Sequence, residues 1–122
     1  MSRPTILVID DHGGFRATAR RLLERDGWAV VGEAADGRTG LAAAASLEPD
    51  VVLLDIGLPD VDGFDVAERL AASADPPSIV LISSRDPETY RERVRSSPAA
   101  AFVAKQELDG TALRSLLGLA PC

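Results

Sequence analysis

Val51-Val52-Leu53-Leu54-Asp55-Ile56-Gly57-Leu58-Pro59 is the stretch that decides the fold. Four consecutive apolar residues end on a carboxylate, and a turn containing Gly and Pro follows at once. An amphipathic helix would interrupt such a run with polar residues, and a half-exposed strand would alternate. A short run that is apolar towards both sides is what a strand buried in the middle of a parallel sheet needs. Such a strand requires partners beside it and helices above and below.

Reading outward, the pattern recurs. Ile6-Leu7-Val8-Ile9 and Ile79-Val80-Leu81-Ile82 are continuously apolar, and Ala29-Val30-Val31 and Ala101-Phe102-Val103 are shorter versions. Gly32 and Glu33 flank the second run and mark it as a more exposed edge strand. Helical spacing fills the gaps. Residues 15–26 place Phe15, Ala19, Leu22 and Leu23 on one stripe, and Gly27 supplies the cap. Residues 38–47 are rich in alanine and stop at Pro49, while residues 64–73 carry Phe64, Ala67, Leu70 and Ala71 ahead of the blocking pair Pro76-Pro77. Asp86-Pro87-Glu88 reads as an N-cap, a first-turn proline and an acidic first turn, opening a helix to about Ser96. A last helix follows Asp109 and includes Leu113, Leu116 and Leu117.

Five strand–helix rounds predict a doubly wound α/β fold, with helices on both faces of one parallel sheet. Periodicity alone leaves the strand order open. The 122 residues, 46% of them hydrophobic, are enough for one domain that needs no disulfide or structural metal. No repeat or interior linker divides the chain. The only cysteine is Cys122, which fits a reducing cytoplasm. The start resembles no signal peptide, and no apolar run approaches the ~20 residues that span a bilayer. A net charge of −6 argues against nucleic acid as a ligand of this segment, because phosphate contact needs a basic face. Of 13 basic residues only Lys105 is lysine.

In open parallel sheets, ligands bind beyond the C-terminal ends of the strands. Those ends deliver Asp10 and Asp11 after the first run, Asp55 after the third, Ser83 after the fourth and Lys105 after the fifth. Any one such Asp also serves as a turn former or cap. Three carboxylates converging on one edge would repel one another unless a cation joined them. An oxygen-only donor set suits Mg2+ or Mn2+, and with one histidine and a terminal cysteine a zinc site is out of reach. Lys105 can bring a compact ammonium to a single oxygen, where the wide guanidinium would need a forked partner. Ser83 offers a hydroxyl to an anionic oxygen.

These segments resemble the receiver domain of bacterial two-component response regulators along nearly the full chain. The resemblance rests on Ile6-Leu7-Val8-Ile9-Asp10-Asp11-His12, the 51–59 stretch, Gly63, Ser83 and Lys105. Spacing agrees, with Ser83 lying 28 residues and Lys105 50 residues after Asp55. The resemblance implies a flavodoxin-like five-stranded parallel sheet in the order 2-1-3-4-5 with five helices, and a single receiver domain over 1–122 with no output domain in these residues. It makes Asp55 the phosphoacceptor. Asp11, Asp55 and the Gly57 backbone carbonyl would hold Mg2+, and Asp10 would hold it through water. Lys105 would pair with a phosphoryl oxygen, Ser83 would bond another, and Phe102 would be the aromatic switch residue. The domain would then be a signalling switch rather than an enzyme, catalysing only its own phosphorylation and slow dephosphorylation. Its phosphate would come from a sensor histidine kinase or a phosphotransfer protein docking near helix one, with Phe15 a contact candidate. Its output surface would be helix four, strand five and helix five, which could also pair two copies.

Three positions depart from the common pattern: Ser84 after Ser83, Asp60 in the loop after Asp55, and Ala99-Ala100-Ala101 before Phe102. None removes a chemical group. The Asp-Asp-His start resembles receivers that precede a helix-turn-helix output domain, and the residues fit a stand-alone regulator as well as the first part of a longer one. Two other readings have less support. A phosphohydrolase with an aspartyl nucleophile would need a second Asp at position 57, where Gly57 stands. A binding module that has lost phosphorylation would lack the acidic pair, the acceptor or the lysine, and all are present.

Overall fold

Each predicted strand forms, and each is followed by a helix. The computed structural model describes residues 3–85 and 87–119. In chain order these are β1 (Thr5–Ile9), α1 (Gly13–Arg25), β2 (Ala29–Ala34), α2 (Gly37–Leu47), β3 (Val51–Asp55), α3 (Gly63–Ala71), β4 (Ser78–Ser83), α4 (Arg91–Ser96), β5 (Ala101–Ala104) and α5 (Gly110–Leu116). The sheet runs β2-β1-β3-β4-β5, every pairing parallel, so the order implied by resemblance is the order found. Gly32 and Glu33 lie inside β2 rather than beside it, and β2 is an edge strand.

The alternation along β3 sorts the core into two halves. Val52 and Leu54 join Leu7, Ile9, Phe64, Val66 and Leu70 under α2 and α3. Val51 and Leu53 join Ile6, Val8, Leu23, Trp28 and Leu113 under α1 and α5. Fully burying each of these large side chains contributes about 1.5–3 kcal/mol, so the central strands are fixed mainly by their own apolar runs. Trp28 is fully buried, and its indole N–H donates to the Gly110 carbonyl at 3.0 Å, anchoring the start of α5.

Side-chain caps position the helices. Asp36, Asp62 and Asp109 accept backbone N–H groups at the starts of α2, α3 and α5. Gly27 adopts φ 90°, as expected of a residue closing α1, and Glu48 takes the left-handed φ of 49° before Pro49. Gly63 is required by proximity: a Cβ there would stand 2.6 Å from the Asp55 carbonyl oxygen and 2.7 Å from the Ile56 Cα. Its N–H donates to the Ile56 carbonyl at 3.1 Å, pressing α3 against the end of β3.

The fourth helix differs from expectation. A continuous helix to Ser96 becomes a 3-10 turn over Pro87–Tyr90 and then six residues of α4. The cause is the sequence. Glu88, Arg91, Glu92, Arg93 and Arg95 leave only Tyr90 and Val94 to face the core, and no residue of α4 is buried. Arg93 supplies part of the missing attachment, pairing with Asp62 at 2.8 Å and stacking its guanidinium 4.2 Å over the Phe64 ring. The expected N-cap, Asp86, lies outside the described residues, as does Cys122.

Candidate functional site

The C-terminal edge of the sheet collects side chains from three strand ends. Asp10 follows β1 and is fully buried, its N–H bonded to the Ala34 carbonyl of β2 at 2.9 Å. Asp55 is the last residue of β3 and is 4% exposed. Lys105 follows β5 directly. Its ammonium sits 2.6 Å from Asp10 Oδ2 and 3.3 Å from Asp55 Oδ2, so the only lysine lies between the two buried carboxylates. It also lies 4.8 Å from the centre of the Phe15 ring.

The carboxylates are held by backbone donors. Asp10 Oδ1 accepts the His12 N–H at 2.8 Å, and Asp55 Oδ1 accepts the Gly57 N–H at 3.1 Å. Asp10 Oδ2 is different. It is buried and has no aligned hydrogen bond, although the Lys105 ammonium is at ion-pair distance. We read the contact as charge attraction without hydrogen-bond alignment, which leaves the oxygen's lone pairs only partly used. Burial pushes the Asp55 carboxyl above its ordinary range, and the Asp10 charge adds to this. The Gly57 N–H and Lys105 oppose the rise without cancelling it.

Ser83 closes β4 and is buried, its Oγ accepting the Arg85 N–H at 3.0 Å. The ladders place it beyond Ile82, the partner of Asp55, and opposite Ala104, the residue before Lys105. Phe102 is half-buried on β5 and packs with Tyr90, Val94 and Ala99 against the α3 side of the core. It also lines a groove of about 340 Å3 with Val94, Arg91 and Arg95.

Three contributions were missed in the sequence. His12 Nδ1 lies 3.2 Å from Asp10 Oδ1 and 3.1 Å from Asp11 Oδ1, inside the acidic cluster. The run Asp10-Asp11-His12 was its only signal. Arg16 donates to the Asp10 carbonyl at 2.7 Å while pairing with Glu33 at 3.2 Å, so α1 and β2 together brace the acidic loop. Glu33 is held below the usual carboxylate range, chiefly by its hydrogen bond to Arg20. Asp60, the apparent departure, accepts the N–H groups of Gly37 at 2.8 Å and Arg38 at 2.9 Å, joining the loop after β3 to the start of α2.

Residues 6–117 match the family model of the response regulator receiver domain. The chain belongs to that family. Among its relatives is the virulence-factor positive transcription regulator BvgA of Bordetella pertussis, 38% identical over 102 residues, covering 84% of this chain and 49% of BvgA. A protein-glutamate methylesterase/protein-glutamine glutaminase of Anaeromyxobacter dehalogenans is 43% identical over 108 residues, covering 88% of this receiver and 31% of the relative. The signal receiver domain of the response regulator NarL from Mycobacterium tuberculosis superposes with a TM-score of 0.83 at 32% identity, covering 97% and 99% of the two chains. The receiver thus spans about half the length of BvgA and a third of the methylesterase. Among the described residues no helix is long and apolar enough to cross a membrane.

A divalent cation fits this receiver's donor set. Asp10, Asp11, His12 and Asp55 each offer a ligand atom, all within 4.8 Å of one another. The incompletely satisfied Asp10 Oδ2 and the raised Asp55 carboxyl both describe a site with more negative charge than its one lysine offsets.

Proposed function

We propose that this receiver accepts a phosphoryl group on Asp55 and uses it to switch the surface of α4, β5 and α5. The observation that carries the reading is the placement of the sole lysine 3.3 Å from Asp55 Oδ2 and 2.6 Å from Asp10 Oδ2, at the end of the central strand. Asp11, Asp55 and the Gly57 carbonyl would hold Mg2+ or Mn2+, with Asp10 beside them. Bound there, the cation would supply charge neutralisation for an anionic donor.

The chain's own groups account for the rest. An Asp55 oxygen forms the new bond to phosphorus as the bond from phosphorus to the donor's imidazole nitrogen breaks, and the imidazole leaves with its electron pair. Asp55 must be ionised to attack, and its burial makes a nearby positive charge a requirement. Lys105 meets part of that requirement and can follow a phosphoryl oxygen as charge develops. Ser83, at the end of β4, is placed to donate its hydroxyl to another oxygen. Gly57 brings no acid or base to the position two after Asp55, so attack of water on the phospho-aspartate is unassisted there and the signal persists.

The phosphate adds about −1.5 to −2 charge beside β4 and β5. Movement of Ser83 towards it would leave room at the edge of the core against which Phe102, Tyr90 and Val94 pack. Rotation of Phe102 would then reshape the α4–β5–α5 surface. The donor is a phosphohistidine of a sensor kinase or phosphotransfer protein in the cytoplasm. The output is control of transcription, directly or through a further domain, and two activated copies can pair through the switched surface.

Mass spectrometry tests the reading. With Mg2+ and acetyl phosphate, the wild type should gain one phosphoryl group, and Asp55→Asn should gain none. Lys105→Arg should keep the charge yet lose switching, because the planar fork does not fit between two single oxygens. Unchanged labelling of Asp55→Asn would refute the assignment.

A further inference from the structure

His12 changes the chemistry of the acidic cluster. The oxygen-only donor set expected from the strand ends leaves out its imidazole, which the structure brings to 3.1 Å from Asp11 Oδ1 and 3.2 Å from Asp10 Oδ1. These are also the spacings of neighbouring donors around one small cation, because six bonds of about 2.1 Å at right angles place adjacent donors about 3 Å apart. Asp10, Asp11, His12 and Asp55 all fall within a 4.8 Å span. His12 does not cap α1 with its side chain, and that side chain is 68% exposed; the ring is held at the cluster by the hydrogen bond of Nδ1 to Asp10 Oδ1 and its pairing with Asp11, contacts that a bound cation would replace. Its backbone N–H is already committed to Asp10 Oδ1, which fixes the residue beside the cluster.

We infer that His12 Nδ1 is a ligand of the bound divalent cation, and that it tilts this site towards a nitrogen-accepting transition ion such as Ni2+ over Mg2+. The inference rests on the acidic cluster of the proposed function taking a divalent cation, and adds which class it selects. Mg2+ demands hard oxygen donors and surrenders water reluctantly. Imidazole is a borderline donor, and a mixed carboxylate–imidazole set raises affinity along the series from Mn2+ to Cu2+. Lys105 competes for the carboxylate oxygens, since its ammonium lies 2.6 Å from Asp10 Oδ2 and 3.3 Å from Asp55 Oδ2. A cation that gains a nitrogen ligand is better placed to displace it.

Isothermal titration calorimetry with Mg2+ alone and Ni2+ alone, on tag-free Cys122→Ser protein, measures the selectivity without any phosphodonor. Removing Cys122 keeps the thiol from adding a ligand. The Ni2+ to Mg2+ affinity ratio should fall at least about tenfold in His12→Ala, and in His12→Asn, which offers an oxygen instead. Both substitutions lie at an exposed helix start and should leave the melting curve of the metal-free protein in place. Pulsed electron paramagnetic resonance of bound Mn2+ should show modulation from a directly coordinated nitrogen in the wild type and none in His12→Ala. Mg2+ binding with an unchanged ratio in both variants, or no nitrogen modulation in the wild type, overturns the inference and leaves the phosphoacceptor reading standing. Failure to bind either ion overturns the inference and the divalent site of the proposed function together. A phosphorylation failure with the ratio shift intact would sink the acceptor reading alone.

Discussion

Replacing Gly63 with alanine tests how closely the acceptor strand depends on the helix that follows it. The new Cβ would meet three backbone atoms: the Asp55 carbonyl oxygen at 2.6 Å, the Ile56 Cα at 2.7 Å and the Ile56 carbonyl oxygen at 2.9 Å. Each is about 0.5–0.8 Å inside ordinary contact, and none belongs to a flexible side chain that could swing aside. Overpacking typically costs ~1–3 kcal/mol, and a backbone obstacle places this case at ~2–3. At roughly 4 °C per kcal/mol for a domain of this size, the melting temperature should drop by about 8–12 °C. The alternative sign is well defined, since an unobstructed glycine inside a helix gains about 0.5–1 kcal/mol on becoming alanine. Gly57 is the matched control, because a Cβ there meets nothing within 4 Å. Thermal and urea unfolding of both variants, followed by circular dichroism, gives the comparison, and phosphoryl uptake from acetyl phosphate gives its functional counterpart. Gly63→Ala should also slow uptake, because the displaced atoms belong to Asp55 and its neighbour. A Gly63→Ala melt within error of Gly57→Ala would refute the reasoning.

Asp55→Asn should stabilise the metal-free protein at pH 7. The folded carboxyl titrates above its ordinary 3.8, so the stability it contributes is complete below that value and is lost as pH rises through the folded pKa. The advantage of Asn, read from urea unfolding in chelator, should therefore shrink towards pH 4; a gain independent of pH would count against it. Asp60→Asn should act in the opposite sense. The Gly37 N–H, ahead of the other donors, holds this carboxyl below 3.8, so its contribution is present above that value and lost as pH falls through the folded pKa. The variant should be less stable than wild type at pH 7 and converge with it in strong acid. Trp28→Phe removes the donor to the buried Gly110 carbonyl and should cost at least about 1–3 kcal/mol, visible as a lower urea midpoint at unchanged slope.

The parts of the molecule legible in sequence are those where one residue's surroundings decide its role. The runs 6–9, 51–54 and 79–82 are apolar towards both faces, and only a central strand satisfies them. Asp10 and Asp55 could be placed on one edge because each stands at the end of such a run, and Lys105 because it follows the shorter run 101–103. The strand order had to come from family resemblance, since apolar strands do not encode which neighbour they choose. His12 and Arg16 escaped because their roles depend on where α1 begins relative to Asp10, a matter of helix rotation that spacing leaves undetermined. Asp60 looked like a departure because its partners, Gly37 and Arg38, are more than 20 residues away. The fourth helix was overestimated for the converse reason: favourable start signals were present, while the apolar stripe that would hold a longer helix was not.

At the opposite end of the sheet, the Thr5 N–H donates to Asp50 Oδ2 at 2.9 Å, and the Asp50 N–H donates to Thr5 Oγ1 at 2.8 Å. This small ring joins residues 45 positions apart where β1 and β3 first come side by side. Closing a flexible segment of that length costs about 3 kcal/mol of chain entropy before any pairing repays it. As the chain leaves the ribosome, β1 therefore has β2 on one flank while its other row of N–H and carbonyl groups waits for β3. Closing that second flank is a long-range pairing of the kind that slows folding, and the Thr5–Asp50 ring is a polar contact that forms with it.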